Sequence, residues 1–247
     1  MCKGIEFKVY AKNALFAEPI TKLGGEKCSY QIPTYEAIKG ITKSIYWKPT
    51  FVWIIDKVRI MRVIEMESKG VRTVKYYKEE AGLSYYTYLK NVEYQVKAHF
   101  EWNYYSDEYA NDRNDGKHIS IAKRSLDRGG RQDIFLGTRE CQGYVEPCDF
   151  GSGKSDYDGK DLYFGMMFHS FSYPNEVLKN QKRKEKLEAN LWEAEMKNGI
   201  IDFETAKDKL ISREIKKITS YNYKIDFKLL SVEKEYENLF TEKEVSL

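Results

Sequence analysis

No two of the four cysteines in this chain, Cys2, Cys28, Cys141 and Cys148, form a CxxC pair, and none is spaced with a histidine as zinc ligands are. Neither a zinc site nor a disulfide framework is indicated, and a reducing cytosol is the setting such cysteines fit. No apolar run approaches the roughly 20 residues that a membrane helix needs, and no secretory signal pattern opens the chain, so neither a membrane span nor secretion is expected. The sequence also lacks a compact Asp/Glu/His cluster of the kind that holds magnesium. Asp107, Glu108, Asp112 and Asp115 do crowd one loop, which reads as solvated. Nor does either sign of charge dominate: the formal net charge is +3, which leaves any affinity for nucleic acid to local patches. Internal repeats and low-complexity segments are absent.

What is present is a globular composition over 247 residues, long enough for one large domain or two small ones. There are 20 tyrosines. Tyrosine suits both the faces of sheets and the stacking of RNA bases, and the sheet is the commoner use.

The most informative stretch runs from Asp112 to Cys141. A polar loop ends at Gly116, Ile119, Ala122 and Leu126 follow at helical spacing, and Gly129-Gly130 is a stop signal. Lys117 and His118 therefore fall at a helix N-terminus, where unpaired N–H groups and the helix dipole suit an anion such as phosphate. From Lys117 to Arg131 the cations Lys117, Lys123, Arg124, Arg128 and Arg131 face the single anion Asp127. Two readings stand side by side: a solvated basic helix face, or a surface for a polyanion.

Elsewhere, alternation at Ile5, Phe7 and Val9 predicts an N-terminal strand. Thr34 predicts an N-cap for a helix with Ala37, Ile38, Ile41 and Ile45 on one face, ending near Tyr46-Trp47 ahead of Pro49. Phe51 to Met66 reads as one long strand, with Ser68-Lys69-Gly70 turning into Val71–Tyr77. Val92, Tyr94, Val96, Ala98, Phe100 and Trp102 alternate with polar residues, among them Gln95 and His99, and Ile134-Phe135-Leu136 begins another strand. This order is that of a ferredoxin-like βαββαβ domain with an inserted hairpin, an α+β fold placed at residues 1–147. Residues 148–247 are expected to form a smaller β-rich lobe. It comprises a loop over Gly151–Gly159, a strand over Asp161–Tyr173 holding His169, and a charged helix from Pro174 to Lys197 with Lys179, Lys182, Arg183, Lys184 and Lys186. A weaker helix within 199–217 and a last strand over Ile218–Leu230 complete it. His99 and His169 read as structural.

Several segments, in this order along the chain, resemble one known family. They are the N-terminal strand, the helix start Pro33-Thr34-Tyr35-Glu36-Ala37 running to Ile45-Tyr46-Trp47, Lys117-His118, and Leu136-Gly137-Thr138-Arg139-Glu140-Cys141. Phe168-His169-Ser170 before Tyr173-Pro174, and Met196-Lys197-Asn198-Gly199-Ile200-Ile201, complete the set. Together they resemble the fifth family of CRISPR-associated proteins, in its subtype I-C (Dvulg) branch, a precursor-CRISPR-RNA endoribonuclease of the RAMP superfamily. The resemblance implies cutting of CRISPR repeat RNA at the base of its stem-loop without metal or other cofactor. It also implies retention on the 5′ handle as a subunit of the type I-C interference complex. The family's catalytic trio maps onto Tyr46, Lys117 and His118, while Lys123, Arg124, Arg128 and Arg131 are candidates for the RNA backbone. A Gly-rich loop near the C-terminus, used on RNA by other RAMP proteins, is missing here, so handle recognition is expected to rest on other loops.

The residue types agree with that chemistry. RNA's own 2′-hydroxyl can attack the adjacent phosphate once it is aligned, given proton transfer and charge stabilisation. An imidazole can give or take a proton near neutral pH. Lysine can steady the phosphorane. A tyrosine, with an ordinary pKa of about 10, suits an orienting donor or relay. Tyr46 could equally just close its helix against the sheet. The competing functions are a non-catalytic subunit bound to the RNA handle and a metal-dependent DNA nuclease.

Overall fold

The computed structural model describes residues 4–74, 81–179, 181 and 185–217. Strand β1 (Gly4–Ala14) follows the alternation in its sequence, burying Ile5, Phe7 and Val9. A single-turn helix α1 (Pro19–Leu23) precedes α2 (Tyr35–Ile45), where the Thr34 side chain accepts the Ala37 N–H at 3.2 Å and Ile38, Ile41 and Ile45 are buried. Tyr46 leaves the helix in extended geometry. Then come β2 (Phe51–Ile60), β3 (Glu65–Val74), the long β4 (Ala81–Trp102), α3 (Asp115–Asp127), and β5 (Ile134–Phe135) with β6 (Gln142–Pro147).

Beyond them lie β7 (Leu162–Ser172), β8 (Lys186–Met196), β9 (Ile200–Asp202), the short α4 (Phe203–Ala206) and β10 (Ile211–Lys217). The larger sheet has the order β5-β6-β1-β4-β2-β9, with β3 paired to the first half of β4; the smaller has the order β10-β8-β7. Every strand pairing named in these sheets is antiparallel. The fold is α+β. Phe7, Trp53, Val96 and Phe100 of the larger sheet share one core with Ile38 and Ile45 of α2 and Leu126 of α3, and Met167, Trp192 and Met196 of the smaller sheet join it. None of the described helices is long and apolar enough to cross a membrane.

Four expectations are corrected. The long strand over Phe51–Met66 is two strands, and Ser68-Lys69-Gly70 is no turn but the middle of β3, paired with Thr87, Tyr86 and Tyr85. A long partner strand overrides the local turn propensity. The expected charged helix from Pro174 to Lys197 is, from Lys186 to Met196, strand β8: helix-forming residues are abundant, yet Asn190, Trp192, Ala194 and Met196 are buried at a period of two between β7 and β10. The weaker helix shrinks to α4, with β9 and β10 on either side. Gln95, on the supposed polar face, is buried. The 149–158 loop crosses over it, with Gln95 Nε2 donating to the Ser152 carbonyl at 2.7 Å and Arg59 bonded to Asp158 at 2.7 Å. Lys182, Arg183, Lys184 and the expected strand Ile218–Leu230 lie outside the described residues.

Candidate active site between two helix ends

The site forms where the C-terminus of α2 meets the N-terminus of α3. At the first end, the Tyr46 N–H still bonds to the Thr42 carbonyl, Trp53 Nε1 donates to the Tyr46 carbonyl at 2.7 Å, and the Tyr46 ring packs 5.6 Å from that of Phe51. At the second, Asn114 is the N-cap, its side chain accepting the Lys117 N–H at 3.1 Å. That register leaves Lys117 exposed and turns the next residue, His118, inward to 1% exposure. The turn that follows the C-terminus of α3 also returns to the end of α2: the N–H groups of Arg131 and Gln132 bond to the carbonyls of Ser44 and Ile45, which that helix end leaves unpaired.

Tyr46 Oη lies 2.8 Å from His118 Nδ1, and His118 Nε2 lies 2.8 Å from the Asp112 carbonyl oxygen. A carbonyl can only accept, so Nε2 carries the proton and, in the neutral ring, Nδ1 accepts from the Tyr46 hydroxyl. Phe51 and Trp102 set their rings against the imidazole at 5.3 and 5.6 Å. The Asp112 carboxylate joins the remaining parts. One oxygen pairs with Lys117 Nζ; the other accepts from Thr50 Oγ1 at 3.1 Å and stands 3.4 Å from His118 Nε2. The Lys117 hydrogen bond holds the Asp112 carboxyl below its usual range, and the same bond raises the Lys117 ammonium. Burial pushes the Tyr46 phenol up, against the pull of Arg131, whose guanidinium lies 4.8 Å from the ring centroid.

A family profile described as CRISPR-associated protein (Cas_Cas5), of the Cas5d type, matches residues 4–204. The chain belongs to the Cas5d family. Two curated Cas5d relatives named CRISPR pre-crRNA endoribonuclease match it. The one from Mannheimia succiniciproducens is 25% identical over 231 residues, which is 82% of this chain and 95% of that protein. The one from Thermus thermophilus is 26% identical over 178 residues, 68% and 73% of the two chains. Among solved structures, one described as a CRISPR-associated protein is 34% identical, with a TM-score of 0.71 over 86% of this chain and 97% of its own. A functionally uncharacterized protein from Streptococcus mutans is 35% identical, with a TM-score of 0.70 over the same shares.

In this Cas5d chain, the fold brings Tyr46, Lys117 and His118 together and adds Arg131, which the sequence grouped with the helix cations. The other three candidates stay on the exposed surface of α3 and beyond its end. Arg124 bonds back to the Ser120 carbonyl, Arg128 caps the helix, and Lys123 borders a separate cavity of about 800 Å³ shared with His99 and Asp56. Sequence reading missed Asp112 and Thr50. Asp112 is no solvated loop residue but the hub of the site, and nothing in a loop of four acids marks which one turns inward. Of the remaining histidines, His99 bonds to Asp56 at 2.7 Å, while His169 is buried between Tyr35 and Trp192. Among the described residues, no three His, Cys, Asp or Glu side chains gather where they could share a metal ion.

Proposed function

We propose that the chain is an endoribonuclease that cuts precursor CRISPR RNA at the base of the repeat stem-loop by 2′-hydroxyl attack, without metal. The observation that carries this reading is the convergence of Tyr46 and His118 with Lys117 on Asp112. It is supported by the two relatives bearing the endoribonuclease name.

In the proposed reaction the 2′-oxygen bonds to phosphorus as the bond from phosphorus to the 5′-oxygen breaks, and the leaving 5′-oxygen takes a proton from water, giving a cyclic phosphate and a free 5′-hydroxyl. The neutral His118 ring has one lone pair, on Nδ1, and Tyr46 fills it. His118 therefore takes up the 2′-hydroxyl proton through Tyr46 as relay, or directly once that contact opens. Lys117, released from Asp112 by the incoming phosphate, steadies the phosphorane, with Arg131 beside it.

The central unit is, in this reading, ferredoxin-like: the order β6-β1-β4-β2 with α2 and α3 in the two crossovers supports it. The first domain covers residues 1–147, with β9 added to its sheet from the C-terminal segment, and β7, β8 and β10 make the C-terminal β-rich lobe. After cutting, the protein stays on the 5′ handle as a subunit of the type I-C interference complex, in the cytoplasm, and Lys123, Arg124 and Arg128 with Arg131 contact the RNA backbone.

A second reading, a non-catalytic handle-binding subunit, is favoured by the burial of His118, whose two ring nitrogens are both occupied. Cleavage of a labelled repeat hairpin in excess EDTA, compared with the same RNA carrying a 2′-deoxy nucleotide at the cut, separates the two. Cutting in EDTA that the deoxy substitution abolishes is expected. Tight binding with no cutting at all would establish the second reading.

A further inference from the structure

Beside the catalytic candidates is a cleft of about 490 Å³ whose walls carry Trp47, Tyr105 and Tyr109, with Gln132 and Asn175 among the lining residues. Its rings are turned to solvent: Trp47 is 51% exposed and Tyr109 37%. Large rings left at a surface are apolar area that a partner can cover.

The wall that carries the tyrosines is tied down. Asn103 Oδ1 accepts the N–H groups of Tyr105 and Val177, each at 3.0 Å, and Asn103 Nδ2 donates to the Asn175 carbonyl at 2.8 Å. Arg113 Nη2 donates to the carbonyls of Asn103 and Ser106 at 3.0 and 3.3 Å, and its guanidinium lies 4.6 Å from the Tyr104 ring centroid. A cleft held open in this way needs no ordering when a ligand arrives.

It is also continuous with the site. Trp47 follows Tyr46, Gln132 follows Arg131, and the loop bearing Tyr109 goes on to Asp112. An aliphatic groove would suit a peptide. Aromatic faces with side-chain amides nearby, next to cations that suit a phosphate, suit a base that hangs from a sugar-phosphate chain. We propose that this cleft takes one unpaired nucleobase of the RNA beside the scissile phosphate, stacked on Trp47 and Tyr109. The inference rests on the ribonuclease reading above and adds to it a subsite for a base outside the stem.

The test uses the full chain and a repeat hairpin made uncleavable by a 2′-deoxy nucleotide at the cut, with 2-aminopurine placed at each unpaired flanking position in turn. Stacking should quench its fluorescence at one position. That quench should be lost, and affinity should fall roughly 5- to 100-fold, in Trp47→Ala and in Tyr109→Ala. Both variants should bind a blunt hairpin without flanks as the parent does. Quenching at no position while the hairpin binds would overturn the subsite, as would a quench that survives in both variants, or an equal loss of affinity for the blunt hairpin. A parent protein that does not bind the hairpin at all would remove the RNA reading itself.

Discussion

The hydroxyl of Tyr46 and Nδ1 of His118 meet at 2.8 Å across 72 residues of sequence, both side chains being about 1% exposed. Replacing Tyr46 with Phe keeps the ring against Phe51 and leaves Nδ1 buried without a partner. Single-turnover cleavage is expected to slow by about 10²- to 10⁴-fold, and stability to drop by roughly 1–3 kcal/mol. Denaturant unfolding alongside the rate measurement separates the two effects. A destabilised variant that cuts at the parental rate would make Tyr46 a helix closure and nothing more.

Asp112 pairs with Lys117. Asp112→Asn keeps the backbone carbonyl that His118 uses but removes the competing charge. RNA binding is expected to tighten about fivefold at low salt, the gain fading as the Debye length shortens to roughly 3 Å at 1 M. Filter binding across a salt series reads this out; unchanged or weaker binding at low salt would mean Asp112 is not the resting counter-ion.

Arg124 and Arg128 sit four residues apart, on or at the end of α3. Removing both should flatten the dependence of log affinity on log salt by about 1.5, with little change between RNA sequences. Arg131→Ala should differ in kind, slowing cleavage as well, because its guanidinium covers Tyr46. A double variant with the parental salt slope would take Arg124 and Arg128 out of the footprint.

His169 is 3% exposed, and burial, with Lys39 nearby adding to it, lowers its pKa from 6.5 to about 4. As pH falls below 6.5 the unfolded chain takes up this proton before the folded one does. The stability is therefore complete above about 6.5 and declines down to about 4, a loss on the order of 3 kcal/mol. His169→Phe retains a ring against Tyr35, whose ring stacks on the imidazole at 4.6 Å, and should lack this part of the acid sensitivity. Denaturation midpoints at pH 7 and pH 4.5 check it: an equal drop in both proteins would mean that His169 carries none of the linkage.

Local signals were legible wherever one short stretch decides the outcome. Thr34 capping α2, Pro49 ending it, and the alternation of β1 and β4 depend on neighbours in sequence, and the structure follows them. The path of β3 and the identity of β8 were not legible, because each is fixed by partner strands that override a Ser-Lys-Gly turn signal or a run of helix formers. The same division runs through the site. The family resemblance named Tyr46, Lys117 and His118, but the role of Asp112 needs the tertiary meeting of the 103–115 loop with Thr50, and the aromatic cleft needs Trp47 and Tyr109 brought to the walls of one cavity.

The bonds from Arg131 and Gln132 back to Ser44 and Ile45 have a consequence for the order of folding. They join α3 to α2 across the strands that lie between those helices in sequence, and closure over so long a loop is expected to come late. A chain caught before that step exposes Lys117 and the cations of α3 while Tyr46 and His118 are still apart. Such a species would hold RNA without cutting it, and during refolding the recovery of RNA binding should run ahead of the recovery of cleavage.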